Sequence, residues 1–285
     1  MTESRSFAYP SDDGHALFGR QWGTPGAGLP LVCLPGLTRS STDFAVLAQA
    51  LAKRGHHVVA LDFRGRGGSA FAPASTYTVL REARDTLLGL ASLGITRAHC
   101  LGTSRGGLVM MMLGLIQPDL MASCIFNDIG PVVEAPGIAR ITAYLGVAPP
   151  PSWPELVERL KRDQGPQFPH LTEADWEHYA RQLYTDDGGS PRLAYDPAMA
   201  EAFKAFDPSK PLPTFWEGFD ALSARPMLVI HGAYSDVLSA DTITAMADRH
   251  EGMQVYRVAD QGHAPLLWDA PSHEVIAQML DQSAA

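Results

Sequence analysis

The chain has 285 residues, 46% of them hydrophobic, and a formal net charge of −9 from 22 basic and 31 acidic side chains. That is enough apolar material for one large core, and the length suits a single α/β unit carrying an insertion. No basic block is present to hold phosphates or anionic lipid, so neither nucleic acid nor a membrane surface is an expected partner.

The polar start, Met1 to Ser6, leads into no apolar run of signal-peptide length. The first expected strand is 16–22, followed by one at 31–34, a helix over 44–53 and a strand at 57–61. Gly65, Gly67 and Gly68 follow that strand without the lysine and Ser/Thr of a phosphate loop, so they read as a turn. Helix 78–93 carries Leu80, Ala83, Leu87, Leu88 and Ala91 at helical spacing, with charges on its other side, and packs one face on a sheet. A strand at 98–101 runs into helix 105–116, whose apolar run, 108–116, is the longest in the chain and too short to cross a bilayer. Cytoplasmic residence is the resulting expectation. After a strand at 122–126 the alternation stops.

From 131 to 222 prolines and aromatics accumulate and strand-like runs vanish, which predicts a helical cap inserted into a core formed by 1–130 and 223–285. Ser152-Trp153-Pro154-Glu155 and Thr172-Glu173-Ala174-Asp175 read as helix starts, each with a hydroxyl to accept orphan backbone N–H groups. Asp186 to Pro191 reads as a turn or mobile loop. The βα rhythm resumes with strands at 227–230 and 253–258 and helices at 240–250 and 271–282. Cys33, Cys100 and Cys124 each sit in a strand-like apolar run, where a thiol is a small buried hydrophobe, and an odd count argues against a disulfide framework.

The segment with most chemical content is Gly102-Thr103-Ser104-Arg105-Gly106, between an apolar strand and a helix. Glycines on both sides of Ser104 leave room for a sharp turn that lifts its hydroxyl into the open. A serine hydroxyl is a poor nucleophile unless an imidazole takes its proton and an acid holds that imidazole in one tautomer. His263, in the loop after 253–258, is the candidate base. Asp236, directly after 227–230, is the preferred acid, with Asp128 and Asp260 as alternatives. The chain order is serine, acid, histidine.

Over nearly its whole length, from about Ala16 to the last helix and excepting the middle segment, the chain resembles the α/β-hydrolase superfamily. The motifs that carry the resemblance are Leu31-Val32-Cys33-Leu34-Pro35-Gly36-Leu37, Leu61-Asp62-Phe63-Arg64-Gly65-Arg66-Gly67-Gly68-Ser69, the serine turn and the histidine loop. Asn127-Asp128-Ile129-Gly130-Pro131 is similar to a segment in a group of bacterial members. Pro35-Gly36 departs from the His-Gly often found there, which leaves the backbone donor intact. The resemblance implies an α/β-hydrolase fold, a mostly parallel sheet flanked by helices, with the cap inserted after the sixth strand. It further implies an acyl-enzyme on Ser104, formed from an ester, thioester or lactone with a hydrophobic part, without metal or organic cofactor. The oxyanion would be held by the backbone N–H groups of Leu37 and Arg105. The Arg105 side chain is expected in an internal ion pair, with Asp128 as its partner if Asp236 is the acid. Tyr144, Trp216 and Phe219 are the candidate substrate-binding side chains of the cap. Carbon–carbon bond hydrolysis, acyl transfer on the same triad, and a non-catalytic ligand-binding member of the fold are the alternatives.

Overall fold

The computed structural model describes residues 4–26 and 28–282; the first three residues of the polar start lie outside them. The strands, in chain order, are β1 (Arg5–Pro10), β2 (Ala16–Trp22), β3 (Leu31–Leu34), β4 (Val58–Asp62), β5 (Ala98–Thr103), β6 (Met121–Asn127), β7 (Tyr184–Asp187), β8 (Ser190–Leu193), β9 (Met227–Gly232) and β10 (Gln254–Val258). The helices are α1 (Ala45–Lys53), α2 (Val79–Ser92), α3 (Arg105–Ile116), α4 (Ala135–Tyr144), α5 (Trp153–Gln164), α6 (Glu173–Leu183), α7 (Trp216–Asp220), α8 (Ala240–Arg249) and α9 (Ala270–Gln282).

Among the described residues, eight strands form one sheet in the order β1-β2-β4-β3-β5-β6-β9-β10. From β4 through β10 all pairings are parallel; β2 runs antiparallel to both β1 and β4. The central strands are buried throughout, as expected of parallel strands covered on both faces. Successive side chains alternate between two cores. Val32, Leu34, Val59 and Leu61 face Ala83 and Leu90 of α2 and Val109 and Met110 of α3, while Leu31, Cys33, Val58 and Ala60 face Leu47 and Leu51 of α1 and Ile276 and Leu280 of α9. Each core joins sheet to helix, and the carboxyl ends of β5, β6 and β9 open on one rim.

The three cysteines are free and buried, and burial pushes their thiols up, Cys124 to about 12. The turn after β4 is held by Asp62, whose carboxylate accepts from the N–H groups of Gly68 at 2.8 Å and Ser41 at 2.6 Å.

Two features depart from the sequence reading. Strand β1 lies outside the expected set because it is an edge strand that buries only Tyr9. Residues 184–193 form an antiparallel hairpin, β7–β8: the turn expected over 186–191 is present at Gly188-Gly189, but two short strands flank it that the sequence reading lacked. Its turn residues Gly188 and Gly189 have φ of 61° and 94°, the two positive values that a tight hairpin turn requires and that glycine tolerates. Both expected helix starts are capped: Ser152 accepts from Glu155 N, and Thr172 forms a reciprocal capping box with Asp175. Helices α5 and α6 share a small core of their own, with Leu156, Leu160, Phe168, Trp176 and Tyr179 packed on Leu266 from the loop after β10. No helix of the described residues is long and apolar enough to cross a membrane.

Candidate active site

Ser104 is the single residue between β5 and α3, and its φ of 50° lies in the left-handed region that side-chain-bearing residues rarely adopt. Two glycines make this turn possible. A Cβ at Gly102 would come within 2.5 Å of Gly106 C and Gly107 N, and one at Gly106 would run into the Leu34 carbonyl oxygen.

Ser104 Oγ lies 2.8 Å from His263 Nε2, and His263 Nδ1 lies 2.8 Å from Asp128 Oδ2. A carboxylate only accepts, so Nδ1 carries the ring proton and Nε2 is left to accept from the serine hydroxyl. Asp128 is fully buried at the end of β6. Its carboxylate also accepts from Gly232 N at 2.8 Å and Ser235 Oγ at 2.6 Å. Those bonds hold the acid in place and satisfy a charge that would otherwise be costly to bury.

The N–H of Arg105 is the first in α3 and has no intrahelical acceptor, and that of Leu37 donates to no other described residue. Both residues are anchored from behind by one fully buried carboxylate. Glu82 binds Arg105 Nε at 2.6 Å and Arg66 NH1 at 2.8 Å, while Arg66 Nε donates to the Leu37 carbonyl at 2.7 Å. The Ser104 cavity is walled on the core side by Leu37, Thr103 and Asn127, and on the other by Ile141, Tyr144, Leu160, Tyr179 and Leu183 of α4 to α6. Among the described residues no group of three His, Cys, Asp or Glu side chains is placed to hold a metal ion.

A serine at a strained strand-to-helix turn, a histidine on its oxygen, and a buried carboxylate behind the ring stand at the carboxyl rim of a mostly parallel sheet. Residues 30–270 match the family described as alpha/beta hydrolase fold. The chain belongs to the α/β-hydrolase family. This hydrolase is 32% identical over 273 residues to the 3-hydroxybutyrate-oligomer hydrolase of Cupriavidus necator, covering 92% of each chain. It is 35% identical over 128 residues to the sn-1-specific diacylglycerol lipase ABHD11 of Mus musculus, covering 45% of this chain and 41% of that one. An alpha/beta hydrolase structure from Novosphingobium aromaticivorans matches it with a TM-score of 0.90 and 34% identity over 99% of both chains.

The hydrolase's geometry corrects three of the sequence expectations. The carboxylate on His263 is Asp128, not Asp236. Asp236 is taken by Arg140 of α4, which binds it through Nε at 2.6 Å and NH2 at 2.8 Å. Burial would raise the Asp236 carboxyl, but the Arg140 guanidinium outweighs it and holds the group below its usual range. Arg105 is in an internal ion pair as expected, but with Glu82, since Asp128 is engaged by the histidine. Trp216 and Phe219 do share a face of α7, with ring centroids 5.8 Å apart, yet neither lines the cavity. Phe219 is fully buried against Phe126, and α7 packs so closely on α3 that a Cβ at Gly218 would meet the Met111 carbonyl. Tyr144 does line the cavity. Asp260, the third candidate acid, makes no bond to His263.

Two residues that tie the site together were not among the candidates of the sequence reading. Gln167, in the short helical turn Gly165–Gln167, accepts from His263 N through its side chain at 2.8 Å and from Gly262 N through its backbone at 2.7 Å. Asn127 donates to Thr103 Oγ1 at 3.1 Å and the Pro265 carbonyl at 3.0 Å, tying the serine turn to the histidine loop. Asn127 falls within the 127–131 run already noted for its resemblance. Gln167 has no such marker.

Proposed function

We propose that the chain is a serine hydrolase that cleaves a carboxylic ester, thioester or lactone through an acyl-enzyme on Ser104, with His263 as base and Asp128 as the acid behind it. The observation that carries this reading is the unbroken relay from Ser104 Oγ through His263 to Asp128, with both links at 2.8 Å. As the serine oxygen attacks the carbonyl, His263 Nε2 takes its proton. Asp128 keeps the ring oriented and stabilises the imidazolium. The tetrahedral oxygen is received by the N–H groups of Leu37 and Arg105, each such donor being worth ~3 kcal/mol in the transition state. His263 then gives its proton to the departing alcohol, and water repeats the sequence on the acyl-enzyme. Side-chain replacements at Leu37 leave its donor in place, because the donor is backbone.

Segment 131–222 acts as the cap in this reading. Its apolar side chains Ile141, Leu160 and Leu183 supply the wall for a hydrophobic part of the substrate. Oligomers of 3-hydroxybutyrate, the substrate named for the Cupriavidus relative, are esters of this kind and form the first substrate class to test. The deciding experiment is labelling by a fluorophosphonate, followed by a panel of aryl esters, thioesters, lactones and hydroxybutyrate oligomers. Labelling and turnover are expected in the native chain and both are expected to vanish in Ser104→Ala. Turnover that survives in Ser104→Ala overturns the assignment of the nucleophile.

A further inference from the structure

Four charged side chains line the cavity that contains Ser104: Arg39, Asp43, Arg159 and Asp163. Arg39 Nε lies 2.5 Å from Asp43, so those two charges answer each other. Asp163 is met at 2.9 Å by Arg162 outside the cavity wall. Arg159 is the one left over. Its guanidinium donates to the Ala148 carbonyl at 2.9 Å and to the Tyr184 hydroxyl at 3.0 Å, both neutral, and no carboxylate among the described residues stands within ion-pair reach. A guanidinium carries five N–H groups, so three remain without an acceptor among the described residues. The residue is half-buried on α5, with the buried Leu160 beside it on the same cavity wall.

A cation held in this way inside a substrate cavity, with fork geometry fixed by two neutral acceptors, is matched by a planar anion that fills the open N–H positions. The uncompensated charge is a single positive one, which fits a carboxylate better than a phosphate dianion. We propose that Arg159 binds a free carboxylate at the far end of the substrate, so that the enzyme prefers esters that are also acids. This rests on the ester-hydrolase reading and narrows its substrate class. Arg159 is a specificity residue, remote from the bond that breaks.

The test uses two matched series: 4-nitrophenyl esters, read by the nitrophenol released, and acyl esters whose leaving alcohol is itself a hydroxy acid, read by the acid released. One set pairs the mono-esters of C5 to C8 dicarboxylic acids with the same compounds methylated at the far acid, which places the charge on the acyl side. The other pairs hydroxy-acid esters with their methylated forms, which places it on the leaving side. In the native chain, kcat/KM is expected to favour the acid over its methyl ester by at least about tenfold in one of the two series, the scale of a charge-assisted hydrogen bond. That ratio is expected to fall toward one in Arg159→Met and to stay partly elevated in Arg159→Lys. A native ratio of one or below in both series overturns the proposal without recourse to any variant. So does a ratio that persists in an Arg159→Met protein shown to be folded by its melting curve. Absence of turnover on every ester, methylated ones included, would instead strike at the ester-hydrolase reading beneath it.

Discussion

Asp128 and Asp236 follow adjacent strands, β6 and β9, and what separates them is which other groups claim each carboxylate. Asp128 is met by a backbone N–H, a serine hydroxyl and the His263 ring, while both oxygens of Asp236 are held by Arg140. Replacing Asp128 by Asn puts an amide where an acceptor is needed, so the imidazole loses the tautomer that leaves Nε2 open. In Asp128→Asn, kcat on an aryl ester is expected to drop on the order of 10³- to 10⁴-fold. Asp236→Asn weakens the tie to α4 and is expected to lower the melting temperature while changing kcat by less than about tenfold. Steady-state kinetics and melting curves on the two variants decide the matter, and an equal loss of kcat in both would remove the distinction. The serine and histidine were legible from the sequence because each stands in a local string with its own geometry, a glycine-flanked turn and a loop after the last strand. The acid was not, since its rival is disqualified only by Arg140, 96 positions away.

At the scale of elements, strands with continuous apolar runs were read to within a residue or two, because burial on both faces leaves a compositional mark. Edge strand β1 and hairpin β7–β8 bury little and left none. Trp216 and Phe219 show the limit of periodicity, which identified their shared face but not the element it packs against. The same limit hid the turn at Gly165–Gln167, which reaches from the middle segment to the histidine loop and holds two successive N–H groups there. That contact makes the position of His263 depend on the middle segment. Gln167→Ala leaves the His263 N–H without its acceptor, a penalty of about 1–2 kcal/mol. If the loop drifts from Ser104, kcat is expected to fall by about tenfold with KM nearly unchanged, and Gln167→Glu, which keeps an acceptor oxygen, to recover most of the loss. The melting temperature falls in either case, but a purely structural role would leave kcat per folded molecule as it was in Gln167→Ala.

Across the whole molecule, strand β5, which ends beside Ser104, also carries a titratable group that takes no part in the Ser104–His263–Asp128 relay. His99 lies in β5, between β3 and β6, 2% exposed, with Nδ1 2.9 Å from Ser123 Oγ. Burial, reinforced by the charges of His56 and Arg97, lowers its pKa to about 4. His57, also buried, is shifted in the same direction, chiefly by burial and then by Arg5. In the unfolded chain both return to the ordinary histidine value of about 6.5. Between there and about 4 the unfolded state binds protons that the folded state refuses, so stability is fully present above about 6.5 and is withdrawn as the pH falls. For His99 the shift amounts to on the order of 3 kcal/mol. His99→Asn keeps a polar partner for Ser123 but nothing that titrates. Its melting temperature is expected to decline less between pH 7 and pH 4.5 than that of the native chain, by roughly 5 °C. Parallel curves for the two proteins across that range would show that His99 is not a source of the acid sensitivity. The comparison is clean because residue 99 lies outside the Ser104 cavity, so a change in its titration reads on the sheet alone.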